Sequence, residues 1–277
     1  MERFKTLPVQ GTDLAYMEQG QGPPLVLVHG TLVDARYWAA QVEHCAVRHR
    51  VIAVSLRHHY PNASAGDLSD YGLRAHVADV ATLLRTLAVE PVHLVGHSSG
   101  GFVALLLTRD HPGLVRSLVL EEPALLGGLI TNAQDKAEAE PILASIGPMA
   151  QEVIAQLEAG NREGAIRTFI EWALGPGVYD QSPDAFRASW MDNVHTLKRT
   201  LTSAPESFTR EDAGTLEAPT LLVGGDSSPR LFPLMMNGLQ SCLRIVERVT
   251  IPQASHAVHV DNPTDFNRAV LEFVGRH

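Results

Sequence analysis

The chain has 277 residues, 45% of them apolar and 19% charged, enough for one large α/β domain or two modest ones and too apolar for a disordered segment. Twenty-two Lys and Arg against 31 Asp and Glu give a net charge of −9 with no basic cluster, which argues against nucleic acid as a partner. No run approaches the roughly 18 apolar residues of a membrane span, and the start M-E-R-F-K-T-L-P has no apolar signal core. The two cysteines, Cys45 and Cys242, form neither a disulfide framework nor a C-x-x-C metal pair, so a soluble protein of the reducing cytoplasm is expected.

Phe4–Val9 and Leu14–Glu18 alternate as β-strands around the turn Gln10-Gly11-Thr12. After Gly20-Gln21-Gly22-Pro23-Pro24 the run Leu25–Val28 is apolar on both faces, as in a buried parallel strand, and it stops at His29-Gly30. A helix near Ala35–Ala46, a strand at Val51–Val54, a polar loop at Arg57–Asp70, a helix over Leu73–Leu87 and a strand at Pro91–Val95 follow. A further helix starts behind Ser98, and Leu114–Leu120 is the next strand. Strand and helix thus alternate from residue 25 to residue 120, the pattern of a doubly wound, mostly parallel sheet.

The alternation then stops. Ala133–Leu143, Pro148–Glu158, Arg162–Leu174 and Pro183–Thr200 read as helices, and strand character returns only at Thr220–Val223 and Arg248–Ile251, before a final helix at Pro263–Val274. An all-helical block of this length is too long for a loop and reads as an inserted cap. The expected division is a core of residues 1–123 and 218–277 with a cap of residues 124–217.

Gly96-His97-Ser98-Ser99-Gly100 satisfies G-x-S-x-G directly after a buried strand and directly before an apolar helix, the context of a nucleophile elbow. The plain alternative is a fortuitous glycine-serine turn, which both correct flanks disfavour. His256 lies just past the last strand, where an imidazole can lift the serine proton near neutral pH. Among 13 histidines its place late in the chain is what singles it out; His259, one turn on, reads as a residue that packs at the entrance or anchors the helix start. For the acid that orients the imidazole there are two candidates. Glu122 and Asp226 each follow a strand at the same sheet edge; in their plain roles Asp226 closes an Asx-turn, and Glu121 and Glu122 are solvated charges. The amide of Thr31, after His29-Gly30, and that of Ser99 form the expected oxyanion hole. Arg57-His58-His59 invites a metal reading, but adjacent histidines diverge and no ligand partner sits at the right spacing; no metal and no cofactor is expected.

With His29-Gly30, the elbow at Ser98, the cap after Pro123 and Ser255-His256-Ala257-Val258-His259 leading to Asn262-Pro263, the chain resembles the α/β-hydrolase superfamily over nearly its whole length. Most relatives carry G-x-x-D after the strand corresponding to Thr220–Val223, and Asp226 is out of that register. Leu120-Glu121-Glu122-Pro123 resembles the segment of a branch, the zearalenone-type lactonases, whose triad acid is a Glu. That resemblance implies Glu122 as the acid and a serine hydrolase of small, largely apolar esters or lactones, acting as a monomer or homodimer. A C–C bond hydrolase, a cofactor-free perhydrolase and a ligand-binding homologue are the alternatives. The cap residues Ile142, Met149, Phe169, Trp172, Phe186 and Trp190 suggest an apolar acyl or aromatic ligand, with Leu32, Trp172, Trp190 and His259 as the expected pocket residues.

Overall fold

A computed structural model describes residues 4–62, 68–125, 128–204 and 206–277; the start Met1-Glu2-Arg3 and residues 63–67 of the loop expected at Arg57–Asp70 lie outside them. Eight strands form one sheet: β1 (Lys5–Val9), β2 (Thr12–Gln19), β3 (Pro24–Val28), β4 (Arg50–Val54), β5 (Val92–His97), β6 (Val115–Glu121), β7 (Thr220–Gly225) and β8 (Val246–Ile251). Their spatial order is β1-β2-β4-β3-β5-β6-β7-β8, antiparallel at β1–β2 and β2–β4 and parallel from β4 to β8.

The helices are α1 (Ala39–Cys45), α2 (Leu73–Thr86), α3 (Ser99–Asp110), α4 (Ala133–Glu158), α5 (Arg162–Leu174) and α6 (Val178–Gln181). They continue with α7 (Asp184–Asn193), α8 (Leu197–Thr202), α9 (Arg210–Thr215), α10 (Leu231–Gln240), α11 (Val258–Asp261) and α12 (Pro263–Val274). Because side chains alternate along a strand, each central strand feeds two cores. Val26, Val28, Ile52, Leu94, Leu118 and Leu222 pack with α2, α3 and α10. Leu25, Leu27, Val51, Val95, Val119 and Val223 pack with α1 and α12 on the other face. That is why these strands read as continuous apolar runs rather than alternating ones.

The cap helices α4 to α8 have a core of their own, with Met149, Val153, Ile166, Ile170, Trp190 and Leu197 closing onto Leu32 and Val33 behind β3. A buried polar latch joins cap to sheet. Asp34, fully buried, accepts from Arg36 and from Asn193 Nδ2 at 2.8 Å, and Arg36 reaches on to Asp192 at 2.8 Å. No helix among the described residues is long and apolar enough to cross a membrane.

Candidate active site

The site is assembled where β3, β5, β6 and the segment after β8 end at one edge of the sheet. Ser98 sits between β5 and α3 with φ 54° and ψ −121°, a conformation rare for a non-glycine residue and worth about 1–3 kcal/mol of local strain. Its backbone is held from three sides: the amide donates to the Glu121 carbonyl at 3.0 Å, and the carbonyl accepts from Phe102 and Ala124 at 3.2 and 3.0 Å. Glycine is required beside it, because a Cβ on Gly100 would stand 2.2 Å from the His29 carbonyl oxygen. The start of α3 can approach β3 only without that atom. Ser99 is the first residue of α3, so its amide has no acceptor within the helix. Thr31 lies across from it, its hydroxyl donating to Ser99 Oγ at 3.1 Å.

His256 and Glu122 meet at the same edge. His256 Nδ1 donates to Glu122 Oε2 at 2.8 Å, and Glu122 Oε1 accepts the Gly225 amide at 3.0 Å, so a fully buried carboxylate has two donors. Gly224 makes room for it: a Cβ there would lie 3.1 Å from Glu122 Oε1 and 2.4 Å from Met236 Cε. The imidazole stacks on Phe232 of α10, centroids 3.6 Å apart and planes 15° apart. Its backbone carbonyl accepts from His97 Nε2 at 3.0 Å. With Nδ1 committed to Glu122, the Nε2 lone pair is left for a proton. Asp226 is elsewhere: it is exposed, accepts from the Ser227 hydroxyl at 2.9 Å, and has its carboxyl held below the usual range by the Gln253 amide foremost, then by the Ser227 hydroxyl and the Ala254 amide, Gln253 and Ala254 lying in the turn after β8.

Glu121 is not a solvated charge. Adjacent residues of a strand face opposite ways, so Glu121 is buried against the other side of the turn that carries His256. It accepts the His259 amide at 3.0 Å and His259 Nδ1 at 2.8 Å on both oxygens. His259 stacks on Trp38, centroids 4.0 Å apart, and Gln41 donates to its carbonyl at 2.9 Å. It is an anchor of the turn and does not line the cavity, contrary to its expected pocket role. Leu32 is likewise buried in the cap core at φ 64° and does not line the cavity, because its side chain is spent on cap packing.

The cavity measures about 740 Å³ and is bounded by Ser98, Ser99, Thr31 and His256 at the sheet and by Trp172 and Trp190 from the cap. Its size suits a small organic ligand. His97 and Phe232 also line it, and neither is singled out by the sequence. The variable position of G-x-S-x-G was a visible hint for His97; nothing in the sequence pointed to Phe232. Among the described residues no cluster of His, Cys, Asp and Glu could hold a metal ion. In the Arg57-His58-His59 loop, Arg57 is paired with Asp79 and Asp70, His58 with Asp70, and His59 Nδ1 with the Val33 carbonyl.

Burial keeps a set of imidazoles neutral. His29 is pushed down to about 4, His76 to about 3, and His59 and His97 well below 6.5, desolvation being the main cause for each. About one pH unit above 6.5 and higher, these rings are neutral folded or unfolded and do not affect stability. As pH falls below 6.5, the unfolded chain binds protons that the folded one refuses, and each ring removes about 1.4 kcal/mol per pH unit until its folded pKa is approached. With all four rings acting in this direction, stability falls steeply as pH drops from about 6.5 towards 5. Urea midpoints at pH 7, 6 and 5 check this; an unchanged midpoint from pH 7 to 5 refutes it.

A family model described as the alpha/beta hydrolase family matches residues 25–269. The (E)-2-((N-methylformamido)methylene)succinate hydrolase of Acinetobacter baylyi is 24% identical over 275 residues, covering 96% of each chain. A hydrolase from Pseudomonas aeruginosa superposes with TM-score 0.81 at 24% identity, covering 99% of this chain and 98% of that one. Naproxen esterase from Bacillus subtilis does so with TM-score 0.75 at 19% identity, covering 98% and 92%.

Proposed function

The chain belongs to the alpha/beta hydrolase family, and from that premise we propose that it is a serine hydrolase of carboxylic esters or lactones. The observation that carries the reading is the buried Glu122–His256 pair, whose imidazole lines the same cavity as the strained Ser98. Ser98 Oγ attacks the acyl carbon while His256 Nε2 takes its proton, and the negative charge on the carbonyl oxygen is met by the Thr31 and Ser99 amides. Glu122 holds the ring in the tautomer that leaves Nε2 free and stabilises the imidazolium that forms. Collapse breaks the bond to the alkoxide, which takes the proton from His256 Nε2 and leaves an acyl-Ser98. Water then adds to the acyl carbon, again losing its proton to His256, and the acid departs as Ser98 recovers its hydrogen. In a lactone the alkoxide stays tethered to the acyl group and leaves with it.

The esterase among the structural neighbours fits this reading, at an identity where only the fold is shared. A non-ester substrate is the second reading, favoured by the Acinetobacter relative, named for a formamido-substituted succinate. Release of p-nitrophenol from p-nitrophenyl acetate tests the first. Sustained release beyond one equivalent of protein is expected; a single burst supports a ligand-binding homologue, and no release favours the non-ester reading.

A further inference from the structure

The cavity wall away from His256 is polar in a way that hydrolysis of a plain alkyl ester does not need. His59 follows β4, Tyr71 precedes α2, His76 lies within α2 and Thr200 within α8, and all four line the cavity. They form one connected group. His59 donates from Nδ1 to the Val33 carbonyl at 2.7 Å, so its Nε2 is an acceptor and takes the Tyr71 hydroxyl proton at 3.2 Å. The Tyr71 oxygen is then an acceptor in its turn, 2.9 Å from Thr200 Oγ1, which also stands 3.1 Å from the Thr196 carbonyl. Thr200 has a single proton for those two acceptors. When it turns to Thr196, the Tyr71 oxygen loses that donor; the Thr196 hydroxyl, its other neighbour, gives its own proton to the Asn193 carbonyl at 2.8 Å, so the oxygen can receive another. His76 packs edge-on to Tyr71, centroids 4.8 Å apart, and its Nδ1 is buried with no hydrogen-bond partner.

None of these four side chains is ionised. Burial holds both imidazoles neutral. The Arg57 guanidinium, whose charge reaches His76, is committed to Asp79 and Asp70, Arg199 beside Thr200 donates to the Ser69 carbonyl and does not line the cavity, and the charged residues that line the cavity, Glu206 and Arg210, are half-exposed and exposed. A carboxylate would therefore be buried against this wall with no cation to meet it.

We propose that the cavity takes esters or lactones whose chain carries, away from the scissile carbonyl, a neutral hydrogen-bond donor (a hydroxyl or an amide N–H) that the Tyr71 oxygen receives beside His59 and His76. The inference rests on the hydrolase reading for the bond that is cleaved, and on the cavity alone for the binding of the chain.

The probes are methyl esters of ω-hydroxy acids from butanoate to dodecanoate, the matching methyl alkanoates, and the half-esters that end in a carboxylate. Binding is measured to Ser98→Ala protein by the fluorescence of Trp172 and Trp190 on the cavity wall. At one chain length or more the hydroxy ester binds about tenfold tighter than its alkyl partner, and the carboxylate ester binds weaker than both. Tyr71→Phe added to Ser98→Ala brings the hydroxy-to-alkyl ratio to within about twofold of unity, whereas Thr200→Val, which removes the competing donor, keeps or raises it. A flat ratio across the series, a preference for the carboxylate, or a preference lost in Thr200→Val but kept in Tyr71→Phe overturns the proposal. Turnover by the unmutated protein is scored separately. Binding preference without ester cleavage sinks the hydrolase reading and spares this one; cleavage with a flat ratio does the reverse.

Discussion

Ser98→Ala lowers ester turnover by about 10⁴-fold or more while far-UV circular dichroism and the thermal midpoint stay near those of the unmutated protein. The loss follows from the chemistry: without Oγ no acyl-enzyme forms, and the Thr31 and Ser99 amides alone supply only the residual rate. The fold is untouched because Ser98 is held through its backbone, whose bonds to Glu121, Phe102 and Ala124 do not involve the hydroxyl. His256→Ala falls by a comparable factor, and the double variant falls little further, since nucleophile and base act as a unit. His259→Ala separates the two histidines. It strands the Glu121 carboxylate, fully buried, without its imidazole, and loses about 3–5 kcal/mol of stability. The molecules that remain folded keep most of their turnover, because His259 does not line the cavity. Turnover that survives His256→Ala and vanishes in folded His259→Ala protein would move the base.

The strands were legible because a parallel strand buried on both faces has no polar face to confuse the pattern; Leu25–Val28 and Val51–Val54 read as they stand in β3 and β4. The helix at Arg162–Leu174 also has the bounds its pattern implied, capped by the Asn161 side chain on the Gly164 amide. Errors arose where punctuation in the sequence was overruled by packing. Gly147-Pro148 reads as a break between two helices, yet α4 runs through Pro141 and Pro148, its Met149 and Val153 continuing into the cap core. Pro183–Thr200 reads as one helix and is broken at Asn193, whose side chain turns inward to Asp34 and to the Ser189 carbonyl. Helix α10, absent from the element pattern read along the sequence, carries Pro233 in its first turn, where a proline gives up no intrahelical bond. That omission hid Phe232, the ring on which His256 stacks. Pairs such as Arg36 with Asp192, or His97 with the His256 carbonyl, lie more than 150 residues apart in the chain. Such pairs leave no periodic trace, so a single sequence could not expose the latch or the polar wall.

Glu122→Gln lowers turnover on the order of 10³–10⁴-fold, and Asp226→Asn by less than about tenfold. The amide in place of the Glu122 carboxylate has one acceptor and one donor for a site that presents two donors, the Gly225 amide and His256 Nδ1. With its oxygen towards Gly225, its NH₂ faces Nδ1; the ring must then carry its proton on Nε2, and the base is lost. With the oxygen towards His256, the tautomer is kept, but two N–H groups face each other at Gly225 in a buried space, and the charge that stabilises the imidazolium is gone either way. Neither orientation restores the pair. Asp226 meets no such demand, since its partners are the Gln253 amide, the Ser227 hydroxyl and the Ala254 amide at 3.4 Å, and an asparagine oxygen can still accept from them at the exposed turn. Steady-state kcat and KM for one ester separate the outcomes: the Glu122→Gln loss falls on kcat, because the carboxylate acts on the ring and not on the bound chain. A larger loss in Asp226→Asn than in Glu122→Gln would transfer the acid to β7 and leave the 2.8 Å contact between Glu122 and His256 as a structural bond only.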